Sequence, residues 1–322
     1  MTFEVHREPL FRRYYASYTS GACVYALLYS FVLIFLPLII AYNTYDFWLQ
    51  DKVVFEQPRV NYRYEAFVEV FGQTATGGPL NLFYSTSPTV NQLYGPNLRA
   101  PILQSGALDV NNDGLMDRLE VGLQMPLGVG ESVYGFSAVF YHDVAVSARA
   151  KVLFDAINYV GYEAATPIGG AFVDGDLMVR QTQTLYAKGG FQVPYSGSPL
   201  ISINSHTSAR DVSIKSLLAQ SLARNLSLSF NPSYAYAERT LPQDSNADKG
   251  LRFFNATLIM RVPVQGIRYN PPASEVFKWA WIQYISFFAV VSFLLFRLNS
   301  FLFRHQLIYT RPVADIVHEK VE

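Results

Sequence analysis

Two uninterrupted apolar stretches lie near opposite ends of the chain. No residue between positions 14 and 45 is charged, and 22–41 reads ACVYALLYSFVLIFLPLIIA. Helical residues rise about 1.5 Å each, so a stretch of this length covers the roughly 30 Å hydrocarbon core of a bilayer. The second stretch, 279–296, reads WAWIQYISFFAVVSFLLF and is bounded by Lys278 and Arg297. Both are predicted transmembrane helices. The first is too long for a signal-peptide apolar region, and its exit AYNTYDFW offers no small-x-small cleavage site. Tyr42, Phe47 and Trp48 follow the first span, and Trp279, Trp281 and Tyr284 open the second, as interfacial aromatic belts do. Trp48, Lys278, Trp279, Trp281 and Arg297 are the expected membrane anchors. Pro37 falls inside the first span, where it removes one backbone donor.

Between the spans the apolar period changes from helical to two. Val60, Tyr62, Tyr64, Ala66, Val68 and Val70 alternate with Asn61, Arg63, Glu65 and Glu69, and Leu119, Val121, Leu123 and Met125 with Glu120, Gly122 and Gln124. The stretch 133–146 is more uniformly apolar, as a central strand would be. Further runs begin at Leu177, Leu226 and Arg252, and 232–250 reads as an exposed loop. Gly77-Gly78, Asp113-Gly114, Gly169-Gly170, Asp174-Gly175-Asp176 and Gly189-Gly190 are predicted turns. Ile214, Leu217, Leu218 and Leu222 fall at helical spacing behind Asp211, an expected N-cap. These patterns predict an integral membrane protein in which two transmembrane helices flank a mainly β, sandwich-like extracellular domain with one packed helix. The expected divisions are a tail over 1–21, a span over 22–41, the β domain over 42–278, a span over 279–296 and a tail over 297–322.

Composition agrees. Charged residues make up 16% of the 322, below the roughly 25% of soluble domains. The 25 basic and 25 acidic residues cancel, and no basic cluster points to nucleic acid. Two spans place both termini on one side, expected to be the cytoplasm. The sequons at Asn225 and Asn255 lie in the loop and favour an extracellular β domain. The single cysteine, Cys23, lies in the first span, so the loop has no disulfide.

One polar constellation stands out. Asp109, Asn111, Asp113, Asp117 and Glu120 occupy positions 1, 3, 5, 9 and 12 of a loop with Gly114 at position 6. That spacing lets alternate oxygens converge on a hard cation, so calcium is the possible cofactor. The flanks are strand-like, and the competing reading is a turn held by Asx hydrogen bonds. No HExxH, GxSxG, phosphate loop or CxxC occurs, and His142 and His206 are far apart, so no enzyme is expected. The spans lack charge, which argues against a proton relay or pump. Gln283 and Ser286, one turn apart, are candidates for bonding to a partner helix.

Several stretches, in order and spacing, resemble the transmembrane protein 231 family: FWL then EQP after the first span, LDVNNDGLMDRLE with QMPL, VDGDLMVRQTQ, ARNLSLSFNP, and FKWAWIQYISFFAVV entering the second span. The likeness runs from about residue 8 to 310. It implies a non-enzymatic structural component of the ciliary transition zone, helping form the membrane diffusion barrier and supporting ciliogenesis. The implied partners are other transition-zone membrane and peripheral proteins of the Meckel-syndrome complex, besides the lipid bilayer. The alternative is a subunit of a two-span ligand-gated channel or receptor assembly, whose ectodomains are usually disulfide-rich, unlike this loop.

Overall fold

The computed structural model describes residues 12–44, 47–187, 189–196, 200, 212–239 and 252–314. In chain order the elements begin with β1 (Arg12–Tyr15), α1 (Gly21–Asn43), β2 (Lys52–Glu56), β3 (Arg59–Gln73), β4 (Pro79–Ser85) and α2 (Pro88–Tyr94). Next come β5 (Ile102–Leu108), β6 (Arg118–Leu127), β7 (Ser132–Val146), β8 (Val152–Gln181) and β9 (Leu185–Tyr186). The chain continues with α3 (Ile214–Ala223), β10 (Leu226–Arg239), β11 (Arg252–Arg261), β12 (Gln265–Asn270), α4 (Ala273–Arg304) and β13 (Arg311–Ala314). These elements form two compact units, Asp51–Asn270 and the pair of segments Met1–Gln50 with Pro271–Glu322.

The β unit is organised by β8. Its first part pairs antiparallel with β7, continuing through β3 to β4. Its second part lies between β10, antiparallel, and β11, parallel, which leads on to β6 and β5. One strand thus belongs to two half-sheets. Their inner faces share one core, in which Val68, Phe136, Phe140 and Phe154 from one half meet Phe254, Leu258 and Met260 from the other. The Phe136 and Phe254 ring centroids are 5.9 Å apart. This is a sandwich, and it accounts for the period-two runs, whose inward residues Leu119, Val121, Leu123 and Met125 are all buried. The outer face of the β3–β7 half is covered as well. Phe67, Val139 and Ile157 form a second cluster with Val90 of α2 and Ile214 and Leu217 of α3. Hence β7 is buried on both faces and reads as uniformly apolar. A small separate sheet orders β2, β12 and β9.

Several local expectations change. Gly169-Gly170 and Asp174-Gly175-Asp176 are not turns; they lie inside β8. A β-carbon on Gly175 would collide with the Asn231 carbonyl oxygen, so this glycine serves close strand approach. Asp174 and Asp176 flank it and pair with Arg261 of β11 at 3.4 and 2.9 Å. The exposed loop predicted from Pro232 is strand as far as Arg239; among the described residues β10 pairs only with β8, and an edge with a register shift at Pro232 tolerates the missing donor. Residues 240–250 lie outside the described residues. Leu222 is exposed, not packed. The α3 N-cap is Ser213, whose hydroxyl accepts from the Ser216 amide at 3.3 Å; Asp211 lies outside the described residues. Tyr64 leaves the apolar face of β3 because the register slips between Tyr62 and Ala66.

In the other unit, α1 and α4 are long and apolar enough to cross a membrane, and most of their side chains are exposed. The first helix extends past the expected 22–41 at both ends. The second, at about 48 Å, overruns 279–296 by more than a turn on each side. Correspondingly, 42–50 and 271–278 group with the helices and not with the β unit. Beyond the helices, β1 pairs antiparallel with β13, Arg12 opposite Ala314.

Candidate functional site

The helices run antiparallel, because contacts at the start of one fall at the end of the other. The Tyr25 hydroxyl donates to Asn299 Oδ1 at 3.2 Å, and the Tyr284 hydroxyl to the Ile34 carbonyl at 3.4 Å. Tyr25 and Tyr14 also pack on Phe303. Ser286 bonds its own helix at the Ile282 carbonyl, 2.8 Å away, which spares that hydroxyl a desolvation cost in lipid. Among the described residues, Gln283 Oε1 is buried without a hydrogen-bond partner. At the loop-proximal end, Trp48 meets Phe277 edge to face at 6.2 Å, while Trp281 and Tyr284 are 6.0 Å apart. Trp279 and Trp281 are exposed, and the Arg297 guanidinium lies 5.4 Å over Phe293. An apolar groove of about 730 Å³ opens beside them, lined by Ile34, Leu38, Phe47, Phe277 and Trp281, with Lys278 on its border.

The acidic loop connects β5 to β6. Its turn needs positive φ at Asn112 and Gly114, values of 58° and 82° that asparagine and glycine tolerate. Its oxygens face backbone donors. Asp109 accepts from the Asp113 and Gly114 amides, at 3.3 and 2.8 Å. Asp113 accepts from the Leu115 amide at 2.8 Å, and Asn111 Oδ1 from the Asp113 amide at 2.9 Å. Asp117 accepts from Gln57 Nε2 and the Val110 amide, both at 2.8 Å, and these bonds hold its carboxyl below the usual range. Glu120 stands apart on β6, paired with Arg118 at 2.6 Å. The four loop residues therefore come together and Glu120 does not. No cluster of three or more His, Cys, Asp or Glu fit to hold a metal ion occurs among the described residues.

The two sequons differ. Asn255 and Thr257 are both exposed on β11. Asn225, between α3 and β10, accepts from the Gln183 amide at 2.5 Å, and Ser227 is buried.

Sequence reading missed a polar chain in the sandwich core. His142 Nε2 donates to Asn158 Oδ1 at 2.7 Å, and Asn158 Nδ2 reaches Met260 Sδ at 3.2 Å. Burial pushes the imidazole down to about 4, partly countered by the Asn158 bond, so it is neutral. His206 lies outside the described residues.

The comparisons by sequence agree with one another. A sequence model described as transmembrane protein 231 matches residues 1–312. Transmembrane protein 231 of Gallus gallus is 30% identical over 311 residues, covering 96% of this chain and 92% of that one. The Xenopus tropicalis protein is 28% identical over 309 residues (96% and 95%), and the Homo sapiens protein 29% over 316 residues (97% and 95%). Among solved structures, a proton-activated chloride channel aligns over 87% of this chain and 98% of its own at 8% identity. Its TM-score is 0.28, which carries no argument about fold or function.

Proposed function

We infer from one premise, that the chain belongs to the transmembrane protein 231 family, that it is a non-enzymatic structural component of the ciliary transition zone. It helps form the membrane diffusion barrier there and supports ciliogenesis, with both termini cytoplasmic and the β unit extracellular. Its partners are other membrane and peripheral proteins of the Meckel-syndrome complex. The observation that carries this reading is the family match across both spans and the β unit. The anchor supports it: the helix pair offers apolar and interfacial aromatic surface and no charged residue within 279–296 or 22–41. Such a pair retains a protein in the bilayer without an ion path of its own.

A tagged copy expressed in ciliated cells tests this. Enrichment at the ciliary base, with faster exchange of membrane markers after its removal, is the expected result. Even spread along the shaft or over the cell body would refute it. A cation current from the reconstituted chain would favour a two-span channel subunit instead.

A further inference from the structure

Tyr64 has a φ of 59°, in the left-handed region that a β-carbon disfavours. The cause is the slipped register. Tyr62 pairs with His142 and Ala66 with Phe140, so 63–65 face Tyr141 alone. Bulges of this kind re-aim side chains and cluster at binding sites, as does backbone strain. Here the bulge turns the Tyr64 ring outward, 72% exposed. Arg63 beside it is committed to Glu65 and Asp143, at 3.5 and 3.8 Å.

A cleft of about 400 Å³ opens at the bulge, lined by Tyr64, Glu65, Ser85, Thr86, Ser87 and Tyr141. Tyr141 is 5% exposed, and among the described residues its hydroxyl has no hydrogen-bond partner. A buried orphan hydroxyl is uncommon, and in an open cleft it is available to water or to a ligand group. Thr86 Oγ1 is engaged by the Ala66 amide at 3.0 Å, and Ser85 Oγ by the Ser87 amide at 3.1 Å. The Ser87 side chain makes no capping bond to α2.

This chemistry narrows the ligand. Among the described residues the lining offers one carboxylate, too few for a cation site. Among the described residues it offers no uncommitted guanidinium or ammonium for an anion. Its hydroxyls suit no apolar chain. An exposed aromatic face beside hydroxyls and a carboxylate suits a neutral polyhydroxylated ring, and the volume fits a small ligand. We propose that the cleft binds a neutral saccharide unit, its ring face on Tyr64 and its hydroxyls on Tyr141, Ser87 and Glu65. A glycolipid headgroup and a glycoprotein glycan share this chemistry.

The test uses the full chain in nanodiscs. Saturation-transfer NMR is run with methyl galactoside, methyl glucoside and methyl mannoside. Glycolipid-bearing vesicles and neutral glycopeptides, run side by side, separate the two sources. At least one neutral methyl glycoside should bind. Tyr141→Phe, which removes only the orphan hydroxyl, should weaken it by about three- to tenfold without lowering the melting temperature. Tyr64→Ala should weaken it comparably or more. If Tyr64→Ala fails to fold, Tyr141→Phe and Ser87→Ala still decide. No transfer to any neutral glycoside, a preference for sulfated or sialylated probes, or binding indifferent to these variants would overturn the proposal.

Discussion

Phe254→Ala probes the sandwich at the contact that joins its halves. Phe254 is fully buried on β11, and its ring lies 5.9 Å from that of Phe136 on β7. Truncating a buried phenylalanine removes its transfer free energy and leaves a cavity, together about 3–5 kcal/mol. Against a total stability of roughly 5–15 kcal/mol, this is a large share. For a unit of this size each kcal/mol is worth about 2–4 °C, so the melting temperature should fall by roughly 10 °C. Phe253, its exposed neighbour, is the control; Phe253→Ala should stay within about 0.5 kcal/mol. A double-mutant cycle with Phe136→Ala should show about 0.5–1.5 kcal/mol of coupling. Tryptophan fluorescence is the wrong probe, because Trp48, Trp279 and Trp281 all lie outside Asp51–Asn270. Amide exchange along β7 and β11 reports on the right unit. Equal effects of Phe254→Ala and Phe253→Ala, or zero coupling, would refute the facing half-sheets.

Three further outcomes are expected. His142 titrates near 4 when folded and near its ordinary value of about 6.5 when unfolded, so the unfolded chain binds the extra proton. Stability should therefore decline as pH falls from 6.5 towards 4, by on the order of 3 kcal/mol, and His142→Gln should flatten that part of the profile. Calcium at millimolar concentration should leave the melting temperature unchanged, because the oxygens of the β5–β6 loop are occupied by amides; a saturable rise lost in Asp113→Asn would show an ion site instead. If the loop is glycosylated, glycosidase treatment should shift the mobility of wild type and of Asn225→Gln, and not of Asn255→Gln, since only the second sequon is exposed at both its asparagine and its threonine.

The elements legible in advance were those whose pattern one physical rule decides. Both membrane helices follow from uncharged length, and β6 follows from strict alternation. The errors arose where glycine and proline carry two meanings. Gly175 and Pro232 punctuate a sequence as turns do, yet one admits a neighbouring strand and the other sits on an open edge. Tyr64 kept the period of β3 while the backbone slipped beneath it. The acidic loop was legible as a constellation, and its turn geometry follows from Asn112 and Gly114; that Glu120 pairs with Arg118 is a matter of which face of β6 it occupies. The cleft under Tyr64 had no signature. It gathers residues from positions 64–65, 85–87 and 141, and its distinguishing feature is a hydroxyl that has no partner among the described residues.

Because β8 threads both half-sheets, it acts as a ruler for the whole β unit. Side chains alternate faces with period two, so inserting or deleting one residue early in β8 inverts every position that follows. Ile168, Ala171, Val173 and Leu177 would then turn away from the core they share with β7, β10 and β11. The damage would reach strands far from the lesion in sequence. An extra residue at Val129, in the exposed turn between β6 and β7, meets no such constraint. Length in this family should accordingly vary at such turns and stay fixed along this strand.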